Sequence, residues 1–284
     1  MPKTKITQKD VLDKFYTKPQ VATKCVETLL SLISQDMNFV EPSAGSGVFK
    51  DVLLVSGVNR CKVSCYDIKP EREDIEQQDF LLLQKENLKD KENVVFIGNP
   101  PFGSRNKTTD LFIKHCIRLE ADTIAFILPE VYSKFVKQKV FPEDYKLISI
   151  TDLPEYSFTF EGNEYHIPST FQVWKRNTKL QDLRKKEFTE SKDFVIIKNS
   201  DKDEADFFVF GSAPQNILEI SEVKPNNRGY YLKSFIDKEE LKSKIKAIRW
   251  KNYGNSSVNG GVFWLTKSEL YEIYEEKIDE QTNT

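Results

Sequence analysis

VVFIGNPPFG, residues 94–103, carries four apolar residues straight into Gly-Asn-Pro-Pro-Phe-Gly. The apolar run reads as a buried strand. The prolines end it, because a proline donates no hydrogen bond to a sheet ladder and its ring fixes φ. Asn99 then stands at the carboxyl end of a strand with its amide directed into open space. Phe102 follows on a stiff turn as an exposed ring.

Outward from this stretch, other segments repeat the alternation of strand and helix. KPQVATKCVETLLSLI (18–33) has apolar residues at helical spacing, with Thr17 as a cap and Pro19 in the first turn. NFVEPSAGSG (38–47) reads as a strand entering a glycine turn, and CKVSCYDIKP (61–70) as a second strand. TDLFIKHCIRL (109–119) reads as a helix, and DTIAFILPE, YKLISITDL and STFQVWKR (122–130, 145–153 and 169–176) as strands. Strands alternating with helices, several of them continuous apolar runs, predict an α/β fold with a mostly parallel sheet covered on both faces. This domain closes near residue 178. KRNTKLQDLRKKE (175–187) reads as a linker or solvated edge. From 188 to 284, short runs such as FVIIK, FFVF, YYLKSF and GGVFWL mix with two helical pieces, KEELKSKIKAI and KSELYEIYEEK, and predict a small α+β region.

Composition narrows the function classes. The 284 residues are 39% hydrophobic and 30% charged with a net charge of −2, which suits a globular chain able to bury a sizeable core. No run approaches the ~18 apolar residues of a membrane span. The start, MPKTKITQKD, lacks the apolar core of a signal peptide, so the expectation is a cytoplasmic or otherwise intracellular protein. Cys25, Cys61, Cys65 and Cys116, with His115 and His166, match no common zinc spacing and read as reduced thiols without a metal.

EPSAGSG (41–47) places Glu41, Gly45 and Gly47 at a strand's carboxyl end, where open α/β sheets bind ligands and glycines let the backbone approach. Asp67 ends the next strand about 20 residues on, the separation at which an acid reaches ribose hydroxyls. Together these predict a nucleoside-containing cofactor. Neither GxGxxG nor a Walker loop is present. Asn99-Pro100-Pro101-Phe102 then suits chemistry on an exocyclic amine. A rigidly held amide oxygen and a backbone carbonyl can accept both amine hydrogens and favour the nucleophilic nitrogen, while Phe102 offers a stacking face to a flipped-out base.

With these motifs in this order, the chain resembles class I S-adenosylmethionine-dependent methyltransferases of the N6-adenine family. The likeness covers about residues 13–176 and includes DKFYTKP (13–19), EPSAGSG, YDIKP, QDF (78–80) and NPPF in the gamma arrangement. It implies a Rossmann-like, mostly parallel seven-stranded sheet and a C-terminal substrate-recognition region. By resemblance, Tyr16 and Thr17 hold the methionine end of S-adenosylmethionine, Glu41, Gly45 and Gly47 line it, Asp67 binds the ribose, and Asp79 and Phe80 contact the adenine. The target is adenine N6 in nucleic acid, DNA ahead of RNA. A protein glutamine amide presents the same NH2 group and is a second reading, and a silent nucleic-acid-binding subunit a third. PEYSFTFEGNEYHIP offers Phe160, Tyr165 and His166 as cover for the base, Tyr165 foremost. KSKIKAIRWKNYGN (242–255) interleaves Lys244, Lys246 and Arg249 with Trp250, either as phosphate clamps with a stacking ring or as a solvated helix with Trp250 in the core.

Overall fold

The computed structural model describes residues 15–88, 92–253 and 263–282. The chain divides into two compact units, Met1–Lys185 and Lys186–Thr284. Along the first run β1 (Tyr16–Thr17), α1 (Pro19–Leu32), β2 (Asn38–Glu41), α2 (Val48–Val55), β3 (Val63–Asp67), β4 (Glu76–Gln77) and β5 (Val94–Gly98). There follow α3 (Lys107–Arg118), β6 (Thr123–Pro129), α4 (Phe135–Gln138), β7 (Tyr145–Asp152), β8 (Phe158–Phe160), β9 (Asn163–Tyr165) and β10 (Ser169–Arg176).

Seven of these strands form one sheet in the order β4-β3-β2-β5-β6-β10-β7. The pairs from β4 through β6 are parallel, and β10 runs antiparallel to both β6 and β7. The central strands are apolar throughout because both faces are covered. Their side chains alternate between two cores. Val95, Ile97, Ala125 and Ile127 pack with α1 residues Ala22, Val26 and Leu29, whereas Phe96, Ile124 and Phe126 pack with α3 residues Phe112, Ile113 and Cys116. A separate three-stranded sheet, β1-β8-β9, joins the FYT segment to the aromatic stretch before β10.

The basic stretch after β10 is not a free linker. Arg184 donates to the carbonyls of Phe141, Pro142 and Tyr145 at 2.9, 3.0 and 2.6 Å and lies 4.9 Å from the Trp174 ring, while Lys185 N donates to Gln138 at 2.8 Å. These bonds carry the first unit to Lys185, beyond the boundary read at 178.

In the second unit, β11 (Phe194–Ile197), β12 (Phe207–Phe210), β13 (Ala213–Leu218) and β14 (Gly229–Ser234) form an antiparallel sheet in the order β11-β14-β12-β13, with helices α5 (Lys238–Ala247) and α6 (Lys267–Thr282). β13 has no counterpart in the sequence reading, since APQNIL lacks aromatic or repeated β-branched residues. Of the expected strand GGVFWL, residues 260–262 lie outside the described residues, and Phe263–Leu265 are not in a strand.

Candidate active site

Strand order reverses across β2, which has β3 on one side and β5 on the other. Chains leaving β2 and β5 diverge there and open a crevice outside the carboxyl ends. A cavity of about 550 Å³ occupies it, reached by Glu41 from β2, Asp67 from β3 and Asn99–Phe102 after β5.

The loop after β2 is built from buried polar ties. Glu41 is 1% exposed and accepts from the N–H groups of Phe49 and Lys50, the latter at 3.0 Å, so it caps α2. Burial pushes its pKa up to about 8, against these bonds and that from Cys65 Sγ, which favour the anion. Gly45 and Gly47 have φ of +51° and +80°, a left-handed turn that side chains resist. A Cβ on Gly45 would lie 3.2 Å from Tyr16 Cε1, and one on Gly47 3.0 Å from Arg72 Nη1. Arg72 also donates to the Ser46 carbonyl at 3.2 Å and pairs with Asp51 and Asp74, pinning the loop from behind. Asp67 accepts from Gly45 N and Lys69 N, both at 2.8 Å, and keeps further lone pairs for a ligand.

Tyr16 and Thr17 enter from β1. The Tyr16 hydroxyl donates to Glu71, and burial, with that carboxylate beside it, pushes its pKa up to about 12. Thr17 is buried, and its Oγ1 finds no partner among the described residues. Asp79 caps a short turn by accepting from Leu81 N at 2.9 Å. Phe80 is buried edge-on to Phe96 and His115 and lines the same cavity.

Asn99 is held from two sides. Ser43 Oγ donates to its carbonyl at 3.1 Å, and its Nδ2 donates to the Phe15 carbonyl at 3.2 Å. Its Oδ1 is buried without a partner among the described residues. Thr109 Oγ1 donates to the Pro101 carbonyl at 3.1 Å and steadies the turn, whose Pro100 is also buried. Phe102 departs from expectation. The ring read as exposed is 6% exposed and edge-on to Phe158 at 6.4 Å, because it completes the core beneath α1 and presents only part of itself to the cavity.

The aromatic cover is corrected as well. Tyr165 does not line the cavity but packs edge-on behind Phe15 at 5.1 Å, with Phe160 5.9 Å from the same ring. His166 is exposed beside Tyr156. Phe15, Ser43 and Glu71 were missed as site residues. Phe15 and Ser43 had a faint signal, lying inside DKFYTKP and EPSAGSG; Glu71 had none, because only the folded loop after β3 brings it in.

In the second unit, the stacking role read for Trp250 is overturned. Its ring is 1% exposed, and its Nε1 donates to the Ile245 carbonyl at 2.8 Å, closing the core under α5. Lys244 is committed to Asp193 and Glu240 at 3.0 and 2.8 Å. Lys246 and Arg249 are exposed. Among the described residues no group of His, Cys, Asp and Glu stands together to hold a metal ion, and no helix is long and apolar enough to cross a membrane.

The profile of the EDM2 methyltransferase-like domain matches residues 40–189, from the end of β2 to beyond Arg184. The chain belongs to this methyltransferase-like family. No curated protein matches it. Among solved structures, a putative RNA methyltransferase from Pyrococcus horikoshii is 18% identical, covering 59% of this chain and 88% of its own, with a TM-score of 0.40. A modification subunit of a putative type I restriction enzyme from Vibrio vulnificus is 13% identical, covering 94% of this chain and 61% of its own, at 0.45. The tRNA (uracil-54, C5)-methyltransferase of Pyrococcus abyssi, in complex with S-adenosyl-L-homocysteine, is 18% identical over 57% and 39%, at 0.33.

Proposed function

We propose that the first unit transfers a methyl group from S-adenosylmethionine to the N6 amine of adenine in nucleic acid, with DNA favoured over RNA. The observation that carries this reading is the unpartnered, buried Oδ1 of Asn99 in the cavity wall. A buried acceptor without a donor costs free energy, and one retained at a cavity calls for a ligand N–H to complete it.

The cavity fits the cofactor. Gly45 lines the cavity in a left-handed turn where a Cβ would meet the Tyr16 ring, whereas Gly47 faces Arg72 away from it; Thr17 Oγ1 is a second orphaned acceptor or donor, and Asp67 has lone pairs to spare beside Gly45. Tyr16 and Thr17 would hold its amino-acid end, Asp67 its ribose, and Asp79 with Phe80 its base. When bound, S-adenosylmethionine supplies an electrophilic methyl group on a sulfonium centre.

The residues at the turn do the rest. Adenine's amine is a weak nucleophile because its lone pair is delocalised into the ring. Asn99 Oδ1 and the Pro100 carbonyl accept its two hydrogens and favour the pyramidal nitrogen that appears as the new bond forms. No tuned base is required, since the amine proton becomes acidic only once nitrogen carries positive charge. Lys246 and Arg249 supply the phosphate contacts of the target. The test is incubation with labelled S-adenosylmethionine and separate DNA, RNA and protein pools, followed by mass spectrometry of the products. N6-methyladenine is the expected product; label only on cytosine or on a protein glutamine overturns the assignment.

A further inference from the structure

We infer that Phe15 is a positioning residue which decides that the oxygen end of the Asn99 amide, not the nitrogen end, faces the cavity. The inference deepens the reading of Asn99 as an amine acceptor and rests on it. The two ends of an asparagine amide are nearly equal in shape and opposite in function, one accepting and the other donating two hydrogens. A turn at the end of a strand does not by itself choose between them. The Phe15 carbonyl makes the choice by accepting from Nδ2 at 3.2 Å. In the reversed orientation Oδ1 would face that carbonyl, two acceptors with no proton between them. Because Nδ2 is committed to that carbonyl, Oδ1 of this cavity-lining residue is left buried and without a partner among the described residues.

The carbonyl has its own supports. The Phe15 ring packs against Phe160 and Tyr165 at centroid distances of 5.9 and 5.1 Å. The next two residues pair with β8, Tyr16 opposite Thr159 and Thr17 opposite Phe158. One three-residue segment therefore places Tyr16 and Thr17 at the cavity and fixes the acceptor 84 residues away in sequence. The consequence is selectivity for functional group. With oxygen inward the site welcomes an exocyclic amine and repels a keto oxygen, which would need a donor in the same place.

The experiment compares the parent with Phe15→Gly, Phe160→Ala, Asn99→Ala and the Phe15→Gly/Asn99→Ala double variant, each checked for folding. In ligand-free protein the Asn99 side-chain amide, identified by its loss from the ¹⁵N spectrum of Asn99→Ala, should exchange about tenfold faster in Phe15→Gly, because its acceptor is no longer held. Saturating kcat should fall about tenfold or more, with the target KM little changed. Phe15→Leu, which refills the space beside Phe160, should recover most of that loss. Phe160→Ala, which leaves the cavity lining intact, should show a smaller loss in the same direction. Adding Phe15→Gly to Asn99→Ala should cost nothing further, since both act through one amide. Parent-like exchange and kcat in folded Phe15→Gly, or additive losses in the double variant, overturn the inference. Should Asn99→Ala itself retain full turnover, the acceptor reading falls, while the exchange rates still decide whether Phe15 holds the amide.

Discussion

The backbone N–H of Gly45 donates to Oδ2 of Asp67 across 2.8 Å, tying the left-handed turn after one strand to the acid that ends its neighbour. The other carboxylate oxygen accepts from Lys69 N, so Asp67 shapes two loops while facing the cavity. Asp67→Ala removes the tie and, on the proposed reading, the acceptor for ribose hydroxyls, and should weaken S-adenosylmethionine binding by about 1.5 to 3 kcal/mol. Asp67→Asn keeps one acceptor oxygen and should lose less. Calorimetry finding parent affinity in folded Asp67→Ala would take the residue out of the site.

On the proposed reading, Asn99→Ala deletes an acceptor needed most as the amine becomes tetrahedral. Its kcat should fall about 10²- to 10³-fold, the scale on which single stabilising groups act in transition states. Cofactor and target dissociation constants should stay near the parent's, a loss in rate rather than in affinity.

Phe102→Ala is expected to fail through stability before chemistry. Its ring is buried against Phe158 in the core shared with α1, so truncation should cost about 3 kcal/mol. Thermal or urea unfolding reads this directly, and a parent-like midpoint would contradict the packing. Phe102→Tyr, with the hydroxyl directed to the cavity, should stay folded and active.

Glu41 sets a pH dependence of stability. Its pKa rises on folding from the ordinary carboxyl range to about 8, because burial disfavours the anion. Between those limits the folded state holds a proton that the unfolded state has released. Stability from this group is therefore full below the unfolded pKa and declines by about 1.4 kcal/mol per unit as pH rises toward 8. Glu41→Gln should flatten the decline in denaturant titrations between pH 5 and 8 by about that amount. An unchanged slope would mean the carboxyl is already ionised.

Charge-neutral replacement of Lys246 and Arg249 should lower nucleic-acid affinity and reduce the slope of log affinity against log salt by about 0.9 for each phosphate that is no longer neutralised. Cofactor affinity should not change. Equal slopes for variant and parent would assign the exposed face near α5 to solvation alone. Lys244 is left out of the set because Asp193 and Glu240 already hold it.

Sequence by itself determined the architecture of the first unit and which strand ends border its cavity. Apolar runs such as VVFI and TIAFILP have one stable fate, strands buried on both faces, and the glycines and prolines after them are local instructions about backbone dihedrals. Those signals lie within a few residues of the structure they cause, so EPSAGSG, Asp67 and the NPPF turn were legible in the residues themselves. Tertiary structure decided which atoms of those residues remain available. Phe102 and Trp250 carry the same aromatic rings whether they stack on a base or fill a core, and only the arrival of Phe158 in one case and α5 in the other buries them. Arg184 in a basic stretch reads as solvated until three carbonyls of the first unit converge on it. Asn99 is the sharpest instance. Its amide can face either way, and the carbonyl that settles the matter lies 84 residues upstream in the chain, where no local spacing could reveal it. Dihedral preference and hydrophobic period are short-range properties written in neighbouring letters. Burial and hydrogen-bond pairing depend on which distant segments meet, and that is fixed only when the whole chain has folded.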